Sequence, residues 1–199
     1  MSTGEIAAML GVSPSTVRLI GRRFRQAGVP DPQYRKRCLG APGELDVSTD
    51  AGAYVLGVLW GTASAGSDRC FWVRHKDRWY PEVVKRWLGV TAGIHEISSR
   101  TGRQHRLKVS RAADVAALEN IFARHGWSPR NAPRRPYPAG AVDDRGFIRA
   151  WVELHSSYDM ATLGRKKVLV PRLRIYGNYE LLEEISRVLA AACGVGLRK

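Results

Sequence analysis

The sequence predicts an α+β fold made of two similar halves, preceded by a small helical segment. Three observations predict it. A strand with alternating side chains runs into an amphipathic helix twice, at HRLKVS (His105 to Ser110) and at PRLRIY (Pro171 to Tyr176). Upstream of each lies a further helical run with small residues on one face, AYVLGVLWGTAS and FIRAWVELHSS, whose Gly57, Gly61 and Ala150 let two backbones approach closely. Lys and Arg total 32 against 18 Asp and Glu, a formal charge of +14, and much of that excess falls at alternate positions of the expected strands.

At 199 residues the chain holds one well-filled domain plus a small appendage, and its 44% hydrophobic content with six Trp excludes wholesale disorder. The Arg-rich charge excess points to a polyanion, foremost nucleic acid, with acidic membranes or an acidic protein as the other classes. No run of 18 apolar residues suggests a membrane span, and the polar MSTGE start lacks a basic and then apolar leader. A cytoplasmic, nucleoid-associated location is expected. Cys38, Cys70 and Cys193 are isolated and odd in number, which argues against a disulfide framework; with no CxxC or spaced His, no structural zinc or other metal is expected.

Residues 1–28 read as two short helices around a tight turn. Ile6, Met9 and Leu10 share a face, Gly11 relieves the turn, and Ser13-Pro14 is a good cap and first-turn pair for the second helix. On that helix Val17, Ile20 and Phe24 face inward, leaving Ser15, Thr16, Arg18 and Arg22 outside, small polar groups and arginines that suit a major groove. Thr16 serves equally as a base or phosphate contact or as plain helix surface. The GEIAAMLGVSPSTVR run resembles the helix-turn-helix of the MerR and excisionase type, over about 25 residues. The resemblance implies DNA binding through the second helix, although the wing and long dimerisation helix of a MerR protein have no counterpart. Residues 29–50 form a Pro- and Gly-rich linker carrying Tyr34, Arg35, Lys36 and Arg37, which either tracks a groove or is a solvated charge run.

The remaining chain divides into a first repeat at 51–128, a linker at 129–142 with four prolines and several arginines, and a second repeat at 143–199. In RCFWVRHK, Phe71 and Val73 are expected to face the helices and Trp72, Arg74 and Lys76 the other way. In HRLKVS, Leu107 and Val109 go inward and Arg106 and Lys108 outward. In PRLRIY, Leu173 and Ile175 go inward and Arg172, Arg174 and Tyr176 outward. Three such strands on one surface would build a basic saddle; an ordinary solvated sheet face is the plainer alternative. Arg103 and Gln104, in an expected hairpin turn, are further candidate contacts.

From about Ala51 onward the chain resembles the LAGLIDADG homing endonuclease fold in its single-chain, two-repeat form. VLGVLWGTA matches the first signature helix, the run beginning Phe147-Ile148-Arg149 matches the second, and PRLRIYGNYELLEEI is similar to the closing strand and helix of a repeat. The resemblance implies two αββαββα repeats related by a pseudo-twofold axis, a curved antiparallel sheet in the major groove, and in active members one metal-binding acid at the end of each signature helix. Those positions fall on Thr62 and His155, and neither is a carboxylate. Phosphodiester cleavage with Mg²⁺ needs hard anionic oxygens, so the chain is expected to bind duplex DNA without cutting it and to need no cofactor. Expected with this are a transcriptional regulator, a long and partly pseudo-palindromic DNA site, and a monomer whose repeat supplies its own twofold partner. Two alternatives stand beside it: a nuclease or nickase with displaced carboxylates, for which Glu153, Asp159 and Asp68 are nearest, and an RNA-binding factor of the maturase kind. His155 at a helix end also reads simply as a carbonyl cap or a phosphate contact.

Overall fold

A computed structural model describes residues 45–66, 69–99, 102–127, 135–163 and 168–196, all within a unit spanning Leu39–Lys199. Two helices form its centre. Helix α1 (Asp50–Thr62) starts where the Thr49 side chain accepts the Gly52 N–H at 3.2 Å, and it stops where Ala63 turns extended. The second central helix is capped in the same way, because the Asp143 carboxylate accepts the Gly146 N–H at 2.7 Å. Between them the chain runs through β1 (Ala63–Ala65), β2 (Phe71–His75), α2 (Trp79–Leu88), β3 (Ile94–Ser99), β4 (Gly102–Val109) and α3 (Ala112–His125). The second central helix, α4 (Asp144–His155), then leads into β5 (Ser156–Leu163), β6 (Val168–Ile175) and α5 (Tyr179–Cys193).

Helices α1 and α4 run parallel and in register. A Cβ added to Gly146 would fall 2.2 Å from the Asp50 carbonyl oxygen and 3.0 Å from the Ala53 Cβ, near the two helix starts. One added to Gly57 would lie 2.6 Å from the Ala150 Cβ, and one on Gly61 would lie 2.8 Å from Leu154 Cδ1 and 2.7 Å from His155 Nε2, near the two ends. In the pairs Ala53/Gly146, Gly57/Ala150 and Gly61/Leu154 the second residue follows the first by 93 positions (146 − 53, 150 − 57, 154 − 61). Equivalent residues therefore meet each other across the seam, as a local twofold requires. The flanks keep the same relation with different chemistry. Trp60 packs edge-on to Phe147 with centroids 6.2 Å apart, whereas at the equivalent pair the Tyr54 hydroxyl donates to Glu153 Oε2 at 2.7 Å.

Helix α1 is buried along nearly its whole length because it is apolar all round, with Leu56, Leu59 and Trp60 fully enclosed. Strands β1 to β4 form one antiparallel sheet in the order β1-β2-β4-β3. Its inner face, including Phe71, Val73, Leu107 and Val109, packs with Val83, Val84 and Trp87 of α2 and with Leu118 and Phe122 of α3 in one core. Strands β5 and β6 form a separate antiparallel pair.

Helices flanking antiparallel sheet, an α+β architecture, agree with the sequence reading, and the element order of the first half is αββαββα. Three expectations are corrected. The second half, among the described residues, is αββα, so PRLRIY corresponds in order to β2 and not to the strand HRLKVS, which is β4. The three basic strands do not share one sheet, since β2 pairs with β4 whereas β6 pairs with β5. Leu173, expected inside, is 53% exposed, because it lines an open cleft with Ile148 and Val152 of α4 and Val188 of α5 instead of packing closed against them.

Candidate nucleic-acid interface

Strand pairing places side chains on faces, because directly opposed residues of an antiparallel pair point the same way. On the outer face of the four-stranded sheet one row reads Ser64, Trp72, Lys108 and the next reads Arg74, Arg106, His95. Gln104 and Ile97 follow in a third row, and Lys76 is exposed just past the end of β2. Sequence alternation therefore placed Trp72, Arg74, Arg106 and Lys108 correctly. It missed Ser64 and His95, which only the register brings to this face.

Arg74 stands directly opposite Arg106, a like-charge pairing that costs stability in a sheet. Each finds a local partner: Arg74 Nη2 donates to Ser64 Oγ at 3.1 Å, and the Arg106 guanidinium lies 4.3 Å from the Trp72 ring centroid. The Lys108 ammonium is 5.1 Å from the same centroid. Among the described residues no carboxylate bridges Arg74, Arg106 or Lys108. Arg103 departs from the expectation that grouped it with Gln104. It opposes Ser98, on the other face from Gln104, and pairs with Glu96 at 3.4 Å.

The β5–β6 pair carries its cations differently. Asp159 opposes Arg172, and its two oxygens lie 2.9 Å from Arg172 Nε and 2.9 Å from Arg174 Nη2. One carboxylate thus neutralises half of that face's charge. Tyr176 is exposed, and its hydroxyl is 2.8 Å from Ser157 Oγ.

The ends of the central helices are closed. Thr62 is 8% exposed and its hydroxyl donates to the Val58 carbonyl at 2.6 Å, a bond within its own helix. His155 stacks on Trp151 with centroids 4.1 Å apart and its Nε2 is buried against Gly61. Burial, the charge of Arg135 and then that of His75 lower its pKa, against a backbone contact at Gly61 that raises it. Arg135, one of the linker arginines, does not stand free for phosphate. Instead its guanidinium donates to the Trp60 carbonyl and, at 2.7 Å, to the Ala63 carbonyl, and it lies over Trp127. It caps α1, and burial lowers its pKa. The linker around it is also anchored through Pro136, whose carbonyl accepts from Trp60 Nε1 at 2.9 Å.

These residues do not fit the divalent metal that active LAGLIDADG members hold. Thr62 Oγ spends its proton inside the helix, His155 is a soft nitrogen donor, and a guanidinium stands nearby. Glu153 points to Tyr54 and Asp159 to two arginines, so neither of these two carboxylates turns toward the helix ends. Among the described residues no three His, Cys, Asp or Glu are grouped to hold a metal. Ser15, Thr16, Arg18, Arg22, Arg35, Lys36, Arg37, Asp68 and the helix-turn-helix reading lie outside the described residues. No described helix is long and apolar enough to cross a membrane. A scan against protein-family models and a search of curated proteins each gave no match.

Proposed function

We propose that the chain is a sequence-specific duplex-DNA-binding protein, a transcriptional regulator built on a LAGLIDADG-like fold that has lost its catalytic acids. The observation that carries the reading is the outer face of the four-stranded sheet, where Arg74, Arg106 and Lys108 stand without carboxylate partners among the described residues. Opposed like charges weaken an isolated sheet, and a polyanion removes that cost on binding. The parallel, in-register seam of α1 and α4 supports the family likeness, and Thr62 and His155 at its ends support loss of cleavage. The sheet supplies phosphate contacts and polar groups for base edges, and the N-terminal segment supplies a second reader.

Selection of bound duplexes from random DNA, followed by incubation of the recovered duplexes with Mg²⁺ and Mn²⁺, tests this function. A long enriched motif that stays intact is the expected result. Enrichment of structured RNA over duplex DNA in a parallel selection, or divalent-dependent scission, would replace it.

A further inference from the structure

We propose that Trp72 is a positioning residue that holds Arg106 and Lys108 as one two-pronged clamp for a backbone phosphate. The inference rests on reading the outer face of the four-stranded sheet as a nucleic-acid interface, and it assigns a division of labour within that face.

Arg106 and Lys108 are two residues apart on one strand and on the same face, so their Cα atoms are about 7 Å apart. Left to themselves, two cations at that spacing splay apart. Here both lean on a single indole, at 4.3 Å for the Arg106 guanidinium and 5.1 Å for the Lys108 ammonium. The π density of the ring attracts both, which ties each cation to the same side chain. The ring itself is fixed from its edge. A Cβ on Gly66 would lie 2.5 Å from Trp72 Nε1, so Gly66, just past β1, lies against the indole edge and limits its rotation.

The result is two cations tied to one side chain with no carboxylate partner among the described residues, an arrangement suited to the oxygens of one phosphate. With two cations beside its ring, Trp72 acts through them, which sets this role apart from the stacking platforms of single-strand binders. Phosphates carry no sequence information, so the clamp contributes affinity and register but no choice of base. Choice of base then falls to the neighbouring row, where Arg74 stands.

The test uses the full chain with wild type, Trp72→Leu, Trp72→Phe, Arg106→Gln and the Trp72→Leu/Arg106→Gln double variant. Affinity is measured on a selected duplex and on an unrelated duplex over a range of salt concentrations. Trp72→Leu is expected to weaken both duplexes by the same factor, about 3- to 10-fold. The slope of log K against log salt should shrink by about 1. Trp72→Phe should retain part of the affinity, and the Leu and Gln losses should combine to less than their product. A changed motif with an unchanged salt slope, or fully independent losses, overturns the clamp. Failure of the wild type to bind any duplex refutes the DNA-binding reading instead. In that event titration with inorganic pyrophosphate, followed by NMR of the Trp72 indole N–H and the Arg106 Nε–H, still decides the clamp: shifts at both support it and silence refutes it.

Discussion

At the residue scale, His155 shows how a helix end is closed by packing and a buried ring. Buried against Trp151 and Gly61 and close to the positive Arg135, its imidazole is held neutral, with a pKa below the ordinary 6.5. His75 is shifted in the same direction, chiefly by burial. A base whose pKa is lower in the folded state binds fewer protons there than in the unfolded chain. Stability is therefore full above about pH 6.5 and drains as pH falls below that value toward the folded pKa values. Thermal melting from pH 8 to pH 5 should show a falling midpoint over the acid half of the range, and His155→Phe should flatten that fall; a midpoint that rises on acidification contradicts the assignment. The sequence placed Thr62 and His155 at helix ends because both helical runs stop there and extended residues follow. It did not reveal that Arg135 closes α1, because a linker arginine looks the same in sequence whether it meets water or a buried carbonyl.

At the scale of elements, the seam between α1 and α4 was legible from its small residues, since only close backbone approach explains glycines inside otherwise apolar helices. The contact is tight enough to test. Gly57→Val would push a branched side chain into Ala150 Cβ and the Phe147 carbonyl, which already stand 2.6 and 2.9 Å from where a first carbon would sit. We expect a loss of about 1–3 kcal/mol in urea unfolding, partly restored by pairing it with Ala150→Gly. An undiminished midpoint would mean that the helices do not meet at this position. Helix α2 is legible in the same way: Tyr80, Val83, Val84, Trp87 and Leu88 recur at helical spacing and are all buried, and Gly89 ends the helix with φ 61°. The sheet order β1-β2-β4-β3 was not readable, because alternation identifies a strand's faces and says nothing of its neighbours.

At the scale of the whole described unit, the two halves share a centre and differ in what they present. The four-stranded half displays unbridged cations, and in the two-stranded half Asp159 sits between Arg172 and Arg174. Asp159→Asn should release both arginines. Under the proposed function this strengthens binding to unrelated duplexes several-fold at low salt and steepens the salt dependence by about 1, measured by fluorescence anisotropy. No change would place that face away from DNA. Sequence alone could not foresee the difference, since PRLRIY and HRLKVS carry the same alternation and only register introduces Asp159 to its partners. Among the described residues, the large hydrophobic side chains that are exposed, from Tyr158 and Met160 through Leu169 and Leu173 to Val195, all belong to the two-stranded half. A lone two-stranded ribbon with little burial is the least protected part of a fold, and loss of its ladder need not disturb a core anchored elsewhere. Amide deuteration should therefore reach β5 and β6 long before β2 and β4, with the molecule fraying from one end while the central helix pair keeps its protons to the last.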